Sequence, residues 1–171
     1  KGCDNFCTYC VVPYSRGGEV SRDFRTIYDE VEELVGSGFK LITLLGQNVN
    51  SWRGERGGVG MSFAGLLEAL SEIAGKYWLT FLTSHPKDFN EDIARVMSES
   101  DVLCPYLNLP VQSGSNAVLK RMNRGYSREQ YLGKVEIMRN KVPHVRMSTD
   151  VIVGFPGETE EDFEQTSSLL S

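Results

Sequence analysis

The sequence predicts a parallel α/β sheet or barrel, and two observations carry that reading. Short apolar runs of strand length alternate with segments whose apolar residues recur at helical spacing, and the order strand, polar loop, helix comes round four times. The polar clusters that punctuate this order fall at the carboxyl ends of the apolar runs, where parallel barrels build their sites. They are the opening cysteine stretch and residues 46–50, 84–86, 110–115 and 154–159. Five loops are therefore expected to converge on one mouth.

Taken in order, Val11-Val12-Pro13-Tyr14-Ser15-Arg16-Gly17-Gly18 reads as an extended, then turning segment, since proline and paired glycines break helices. Thr26 is the expected N-cap of a helix carrying Ile27, Val31, Leu34 and Val35, stopped by Gly36 and Gly38. Leu41-Ile42-Thr43-Leu44-Leu45 is nearly all apolar, which predicts a strand covered on both faces. Residues 54–60 read as a glycine-rich excursion. Ser62 caps a helix with Phe63, Leu66, Leu67, Leu70 and Ile73 on one face, and residues 77–83 form the next strand. Asn90 caps a helix with Ile93, Val96 and Met97, and residues 106–109 are a brief strand. A short helix at 117–122 precedes a longer one from Ser127, whose partner Gln130 completes a capping box. Residues 145–153 are the last strand, and Thr159 caps a closing acidic helix. The first strand of the set is expected just before Lys1.

The chain has 171 residues, the length of one domain with a sizeable core. It does not begin with Met and reads as an excerpt of a longer protein. No run approaches the roughly 20 apolar residues that span a bilayer, so no membrane association is expected. Cysteines that cluster instead of spreading in pairs point to a reducing cytoplasm. A formal net charge of −5 does not advertise nucleic-acid binding. Between Ala117 and Arg146, however, Lys120, Arg121, Arg124, Arg128, Lys134, Arg139, Lys141 and Arg146 face only Glu129 and Glu136. That stretch is either a solvated helix face or a phosphate-facing patch, with Lys120, Arg121 and Arg124 as its centre.

Chemistry concentrates at Cys3, Cys7 and Cys10, spaced C-x3-C-x2-C. Three thiolates so close in sequence converge on one side of a tight loop, and soft thiolates select zinc, copper(I) or iron–sulfur clusters. A structural zinc wants four ligands, and the remaining cysteine, Cys104, is far away before Pro105, where a buried structural thiol is expected. A cluster held by three cysteines leaves one iron open. The alternatives are zinc, in a zinc-stabilised RNA-binding module whose fourth ligand would have to be His85 or Cys104, or a disulfide with one stranded thiol. His85, before Pro86, reads as a turn-fixing residue.

These residues carry a resemblance. The cysteine spacing with Tyr9 before the last cysteine resembles the signature of radical S-adenosylmethionine enzymes. Cys10-Val11-Val12-Pro13-Tyr14-Ser15-Arg16-Gly17, Ser21-Arg22, Leu45-Gly46-Gln47-Asn48-Val49-Asn50-Ser51, Thr83-Ser84-His85-Pro86, Leu109-Pro110-Val111-Gln112-Ser113-Gly114-Ser115 and the run from Asp150 to Thr159 are similar to the methylthiotransferases over nearly the whole chain. The Gly-Gln-Asn-Val-Asn run resembles the branch that modifies N6-isopentenyladenosine beside the tRNA anticodon; siblings act on threonylcarbamoyladenosine or on a ribosomal protein.

The resemblance implies a partial (β/α) barrel of the radical-SAM type, with residues 1–171 as its core domain and the first strand missing. It implies a 4Fe–4S cluster on Cys3, Cys7 and Cys10, whose open iron binds S-adenosylmethionine. One-electron cleavage of the sulfonium would give a 5′-deoxyadenosyl radical that abstracts hydrogen from adenine carbon 2. A second 4Fe–4S cluster outside this chain would supply sulfur, and another S-adenosylmethionine the methyl group. Tyr9 (backbone) would lie near the cofactor adenine, with Gln47, Ser84, Gln112 and Asp150 along its ribose and methionine portions. Val153 and Gly154 would let the adenine approach the last strand. Partners implied are tRNA and an electron donor such as a flavodoxin. Gly46-Gln47-Asn48 stands where many radical enzymes carry Gly-Gly-Glu, so the resemblance assigns no residue to the cofactor amino group.

Overall fold

The computed structural model describes all residues from 1 to 171. The chain opens with a one-turn helix α1 (Val12–Arg16), then α2 (Phe24–Gly36), strand β1 (Leu41–Leu44) and the hairpin β2 (Arg53–Arg56) and β3 (Val59–Ser62). It continues through α3 (Phe63–Ser71), β4 (Trp78–Phe81), α4 (Glu91–Glu99), β5 (Tyr106–Asn108), α5 (Asn116–Arg121), α6 (Arg128–Lys141), β6 (Arg146–Ser148) and α7 (Glu160–Leu170). Short 3-10 turns follow β1 and β4, at Val49–Ser51 and Pro86–Asp88.

β1 pairs in parallel with β4, and β5 in parallel with β6. A parallel bridge between Leu79 and Leu103 joins the two pairs, with Cys104 N donating to Leu79 O at 2.8 Å. The strands therefore run β1-β4-β5-β6, an open parallel arc with helices between successive strands. Side chains alternate across a strand, so the observed register divides the arc into two unlike faces. Ile42, Leu44, Leu79, Phe81, Leu107 and Met147 share one face. Leu41, Thr43, Trp78, Thr80, Tyr106, Asn108, Arg146 and Ser148 share the other.

The first face is the one the helices cover. Phe63, Leu66, Leu67 and Leu70 of α3 and Ile93, Val96 and Met97 of α4 join Leu79, Phe81 and Leu107 in one core. Phe63 meets Phe81 edge-to-face at 5.2 Å, and each such side chain contributes about 1.5–3 kcal/mol by leaving water. The second face is not covered. Leu41 is 61 % exposed beside Ile42 at 7 %, so the apolar run at β1 does not mark a strand buried on both sides. Its length and composition resembled a doubly covered strand, but the threonines and serine of the open face show otherwise.

Several helix starts match expectation. Ser62, Asn90, Ser127 and Thr159 each accept a backbone N–H through the side chain, and Ser127–Gln130 forms the capping box. Others differ. Asp23, not Thr26, caps α2: its carboxylate accepts from Thr26 N and Thr26 Oγ1, and Asp outranks Thr at that position. Residues 12–16 are helical because Pro13 sits in the first turn, where its missing N–H costs nothing. Residues 53–62 form an antiparallel hairpin turning on Gly57 and Gly58, at φ of 62° and 80°, which suits the tight primed turns. β6 ends at Ser148 because Thr149 Oγ1 takes over, accepting from Val111 N at 2.9 Å and donating to Leu109 O at 3.0 Å. Pairing resumes only at the bridge of Gln112 with Val151. No helix is long and apolar enough to cross a membrane.

Candidate functional site at the mouth of the arc

The cysteine loop is built by two seams. On one side it lies against residues 17–20: Lys1 N donates to Val20 O at 2.7 Å, Val20 N returns to Lys1 O, and Cys3 N donates to Gly17 O at 3.2 Å. Gly2, at φ 78°, is pressed so closely here that a Cβ would stand 1.9 Å from Gly18 O, which leaves room for glycine alone. Gly2 N also donates to Gln47 Oε1 at 2.7 Å, tying the loop to the one that follows β1.

The second seam comes from the far end of α5, more than a hundred residues away. Thr8 donates through N to Met122 O at 3.1 Å and through Oγ1 to Arg121 O at 3.0 Å. Asn123 Nδ2 donates to Asn5 O and Phe6 O at 3.1 and 3.0 Å. Cys10 N closes a tight turn onto Cys7 O at 2.9 Å. The result buries Cys3 and Cys7 and leaves Cys10 half-buried. Burial raises the Cys3 thiol above its ordinary pKa; the Asn5 backbone opposes this, and Cys7 and Cys10 add to it as neighbouring like charges.

Arg124 reaches into this loop. It is only 5 % exposed. Its guanidinium donates to Tyr126 OH at 2.8 Å, Pro110 O at 2.9 Å, Tyr9 OH at 3.2 Å and Cys7 Sγ at 3.4 Å. His85 also borders Cys7, with Nε2 4.0 Å from Sγ. His85 Nδ1 accepts from Lys87 N at 3.1 Å, capping the 3-10 turn, so the turn-fixing reading of this residue holds. Asn50 brackets its backbone, accepting from His85 N and donating to His85 O. Burial, then the charges of Arg124 and Lys87, push the imidazole down to a pKa of about 3. It is neutral at every ordinary pH.

The five loops do converge. The links are Gly2 to Gln47, Cys7 to His85, Arg124 to Pro110, Gln112 N to Asp150 O at 2.9 Å, and Tyr9 to Phe155 edge-to-face at 6.5 Å. Backbone strain gathers in the same place. Four residues other than glycine have positive φ, namely Phe6, Thr83, Gln112 and Asn123, and all four belong to this mouth. Such conformations persist where surrounding structure enforces them and cluster at functional sites.

The candidate cofactor residues divide by situation. Gln47 has spent its carbonyl on Gly2. Ser84 is buried, and its hydroxyl has no partner. Gln112 is held at φ 72° by pairing across to residues 150–152. Asp150 is exposed. Val153 is exposed, and Gly154 has φ 74°. Glu158 accepts from Gly154 N and Phe155 N and shapes that last loop. Tyr9 meets Phe155 edge-to-face, and burial raises its phenol pKa against the pull of Arg124.

An iron–sulfur cluster fits these residues better than zinc. Cys104 lies at the start of β5, the strand end opposite the mouth, and His85 has committed Nδ1 to Lys87. No three His, Cys, Asp or Glu side chains are gathered as a cage for a single ion, whereas a cubane distributes its thiolates over separate iron corners. A buried guanidinium against Cys7 and an orphaned Ser84 hydroxyl suit an anionic, polar guest.

Sequence reasoning missed Arg124 as part of the site. It stood in a row of basic residues and was grouped with Lys120 and Arg121 as a surface patch. That grouping is corrected here: Arg124 points inward, and Arg121 donates to Gly157 O at 3.0 Å and lies 3.6 Å from Asp162. Arg128 is turned onto Gln165 O and Gly114 O, and Lys134 onto Phe89 O. The available signal was Tyr126, an aromatic two residues on.

The chain is similar to known proteins over nearly its whole length. Over 169 residues, the chain is 54% identical to the tRNA-2-methylthio-N(6)-dimethylallyladenosine synthase of Carboxydothermus hydrogenoformans, covering 99% of this chain and 38% of that one. The synthase of the same name from Clostridium botulinum (strain Eklund 17B) is 55% identical over 169 residues, with 99% of this chain and 37% of the relative covered. The chain thus spans under two fifths of the relatives it matches. Among solved structures, the cobalamin-dependent S-adenosylmethionine radical enzyme OxsB superposes with a TM-score of 0.72 at 15% identity, over 99% of this chain and 25% of that one, a likeness of fold. The family model of the radical SAM superfamily matches residues 1–170. With the thiol loop, the open parallel arc and that match in agreement, the chain belongs to the radical SAM superfamily.

Proposed function

We propose that this chain is the radical core of a tRNA methylthiotransferase that adds a methylthio group to carbon 2 of N6-isopentenyladenosine beside the anticodon. The observation that carries this reading is the 54% identity spread over 99% of the chain to synthases of that name. The aligned span takes in the mouth loops as well as the cysteine motif.

In this reading Cys3, Cys7 and Cys10 hold a 4Fe–4S cluster with one iron left open for S-adenosylmethionine. When bound, the pair supplies one-electron cleavage of the sulfonium and so the hydrogen abstraction that opens the adenine to sulfur. The chain's own residues bind, orient and exclude water. The Tyr9 backbone and Val153–Gly154 border the adenine, and Gln47, Ser84, Gln112 and Asp150 serve the ribose and methionine portions. Ser84 is the strongest of these, being buried with a free hydroxyl. The sulfur-donating cluster and the main tRNA-gripping domain lie outside these residues, in keeping with the two fifths of the relatives' length represented. The setting is the reducing cytoplasm, with a flavodoxin-like protein as electron donor.

The test uses the full-length protein, reconstituted anaerobically with iron and sulfide and given S-adenosylmethionine, a reductant and isopentenylated tRNA. Mass spectrometry of the digested nucleosides should show the methylthio derivative at the modified adenosine. Product on threonylcarbamoyladenosine tRNA alone would move the chain to the sibling branch. A colourless protein with stoichiometric zinc would remove the radical reading altogether.

A further inference from the structure

We propose that Arg124 is a positioning residue for the cluster: its buried guanidinium supplies the counter-charge to the Cys7 thiolate and keeps the cluster reducible. This rests on the reading that Cys3, Cys7 and Cys10 hold a cluster.

Two observations carry it. The first is an unbalanced charge. Arginine cannot shed its proton in a protein, and a buried cation is tolerated when an anion answers it. Arg124 is 5 % exposed, yet its acceptors are the hydroxyls of Tyr126 and Tyr9, the Pro110 carbonyl and the Cys7 sulfur, with no carboxylate among them. The one acceptor able to carry full negative charge is Cys7, as the thiolate a metal ligand must be. The second is rigidity. Nε is fixed by Tyr126 OH, which itself donates to Val111 O at 2.8 Å, and Nη2 is fixed by Pro110 O. These two bonds leave Nη1 aimed at Cys7 and Tyr9 with no freedom to swing to solvent.

Hydrogen bonds to cluster sulfurs and nearby positive charge favour the reduced, more negative state. Arg124 therefore raises the potential at which an external one-electron donor can load the site.

The experiment is an EPR-monitored redox titration of the full-length, anaerobically reconstituted protein. It follows the signal that changes when S-adenosylmethionine is added, which isolates the cluster with the open iron from any other. Arg124→Met should retain iron and lower the equilibrium constant for one-electron reduction about tenfold, about 59 mV for a single electron. Arg124→Lys, which keeps the charge, should stay within about threefold of wild type, and Arg139→Met, which removes an exposed charge on α6, should not move it. Arg124→Met with the wild-type potential overturns the proposal. If Arg124→Met fails to hold iron, Arg124→Lys decides: near-wild-type iron and potential support the role of charge, and their loss overturns it in favour of the fork's bonds to Pro110 and Tyr126. Wild-type protein without a cluster defeats the underlying reading instead, which is a separate result.

Discussion

His85 and Cys7 face each other across the mouth, Nε2 to Sγ, at 4.0 Å. Because Nδ1 accepts from Lys87 N, the proton of the neutral ring resides on Nε2 and points at the sulfur. The ring is wedged against Tyr126, edge-to-face at 5.8 Å, so protonating it would add a second cation beside Arg124 in a dry site.

That arrangement fixes a pH dependence. The folded-state pKa of about 3 lies well below the ordinary value of 6.5. Below pH 6.5 the unfolded chain binds a proton that the folded one refuses, so stability falls as pH drops from 6.5 towards 3 and is fully present above that window. Between pH 7 and pH 5 the loss due to His85 is about 2 kcal/mol. Urea unfolding of the metal-free protein at the two pH values should show it, and His85→Asn, whose carbonyl can replace Nδ1, should lessen the drop by that amount.

Ser84 predicts the opposite separation of stability from function. Its hydroxyl is buried without a partner, so Ser84→Ala removes an unsatisfied group and should leave the metal-free protein unchanged or up to about 1 kcal/mol more stable. The same change should weaken S-adenosylmethionine about fivefold, the equivalent of about 1 kcal/mol for one hydrogen bond. Thermal unfolding and equilibrium binding test the two arms. A loss of stability with unchanged affinity would remove Ser84 from the cofactor site.

Gly2 holds the first seam. At φ 78° and with Gly18 O where a Cβ would go, Gly2→Ala must separate residues 1–3 from residues 17–20. The expected cost is about 3 kcal/mol, combining backbone strain and lost hydrogen bonds. The sharper readout is iron content, because Cys3 moves with Gly2. Gly17→Ala is the control: it also has positive φ, but nothing lies within 4 Å of its Cβ position, so it should keep its iron.

How much of this was legible in the residues follows from which interactions are local. The caps at Ser62, Asn90, Ser127 and Thr159 join residues three apart, and short-range patterns report them directly. Strand positions and the meeting of their loops followed from alternation alone. Residues 121–124 are different: they clasp the cysteine loop through carbonyls, an amide side chain and a buried guanidinium across more than a hundred residues. In a window of sequence only Tyr126, two residues on, sets Arg124 apart from Lys120, although one is 5 % exposed and the other lies on the surface. The uncovered face of β1 was hidden for a similar reason, since leucines and threonine in a row read alike whether helices cover one side or two.

Cysteine assignments give a clean contrast. Cys7 is in contact with both Arg124 and His85 at the mouth, while Cys104 sits at the far end of the arc beside Leu79. Cys7→Ala should abolish visible absorbance after anaerobic reconstitution and all cleavage of S-adenosylmethionine. Cys104→Ala should leave both intact. Loss of iron in the second variant would show that the ligand set has been wrongly drawn.

The exposed basic surface beside the mouth is narrower than the row of basic residues in the sequence. With Arg124 buried, Arg121 bonded to Gly157, and Arg128 and Lys134 turned onto backbone carbonyls, Lys120 remains exposed at the end of α5. That end is the same segment that clasps the cysteine loop, so Lys120 stands beside the mouth where a tRNA phosphate would pass. Lys120→Glu in the full-length protein should weaken binding to modified and unmodified tRNA alike, because a phosphate contact carries no base information. The slope of log K against log salt should fall by about 1. Arg139→Glu, an exposed charge on α6, is the matched reversal. Equal effects from the two would mean that tRNA senses only net charge, and an unchanged slope for Lys120→Glu would place the RNA elsewhere.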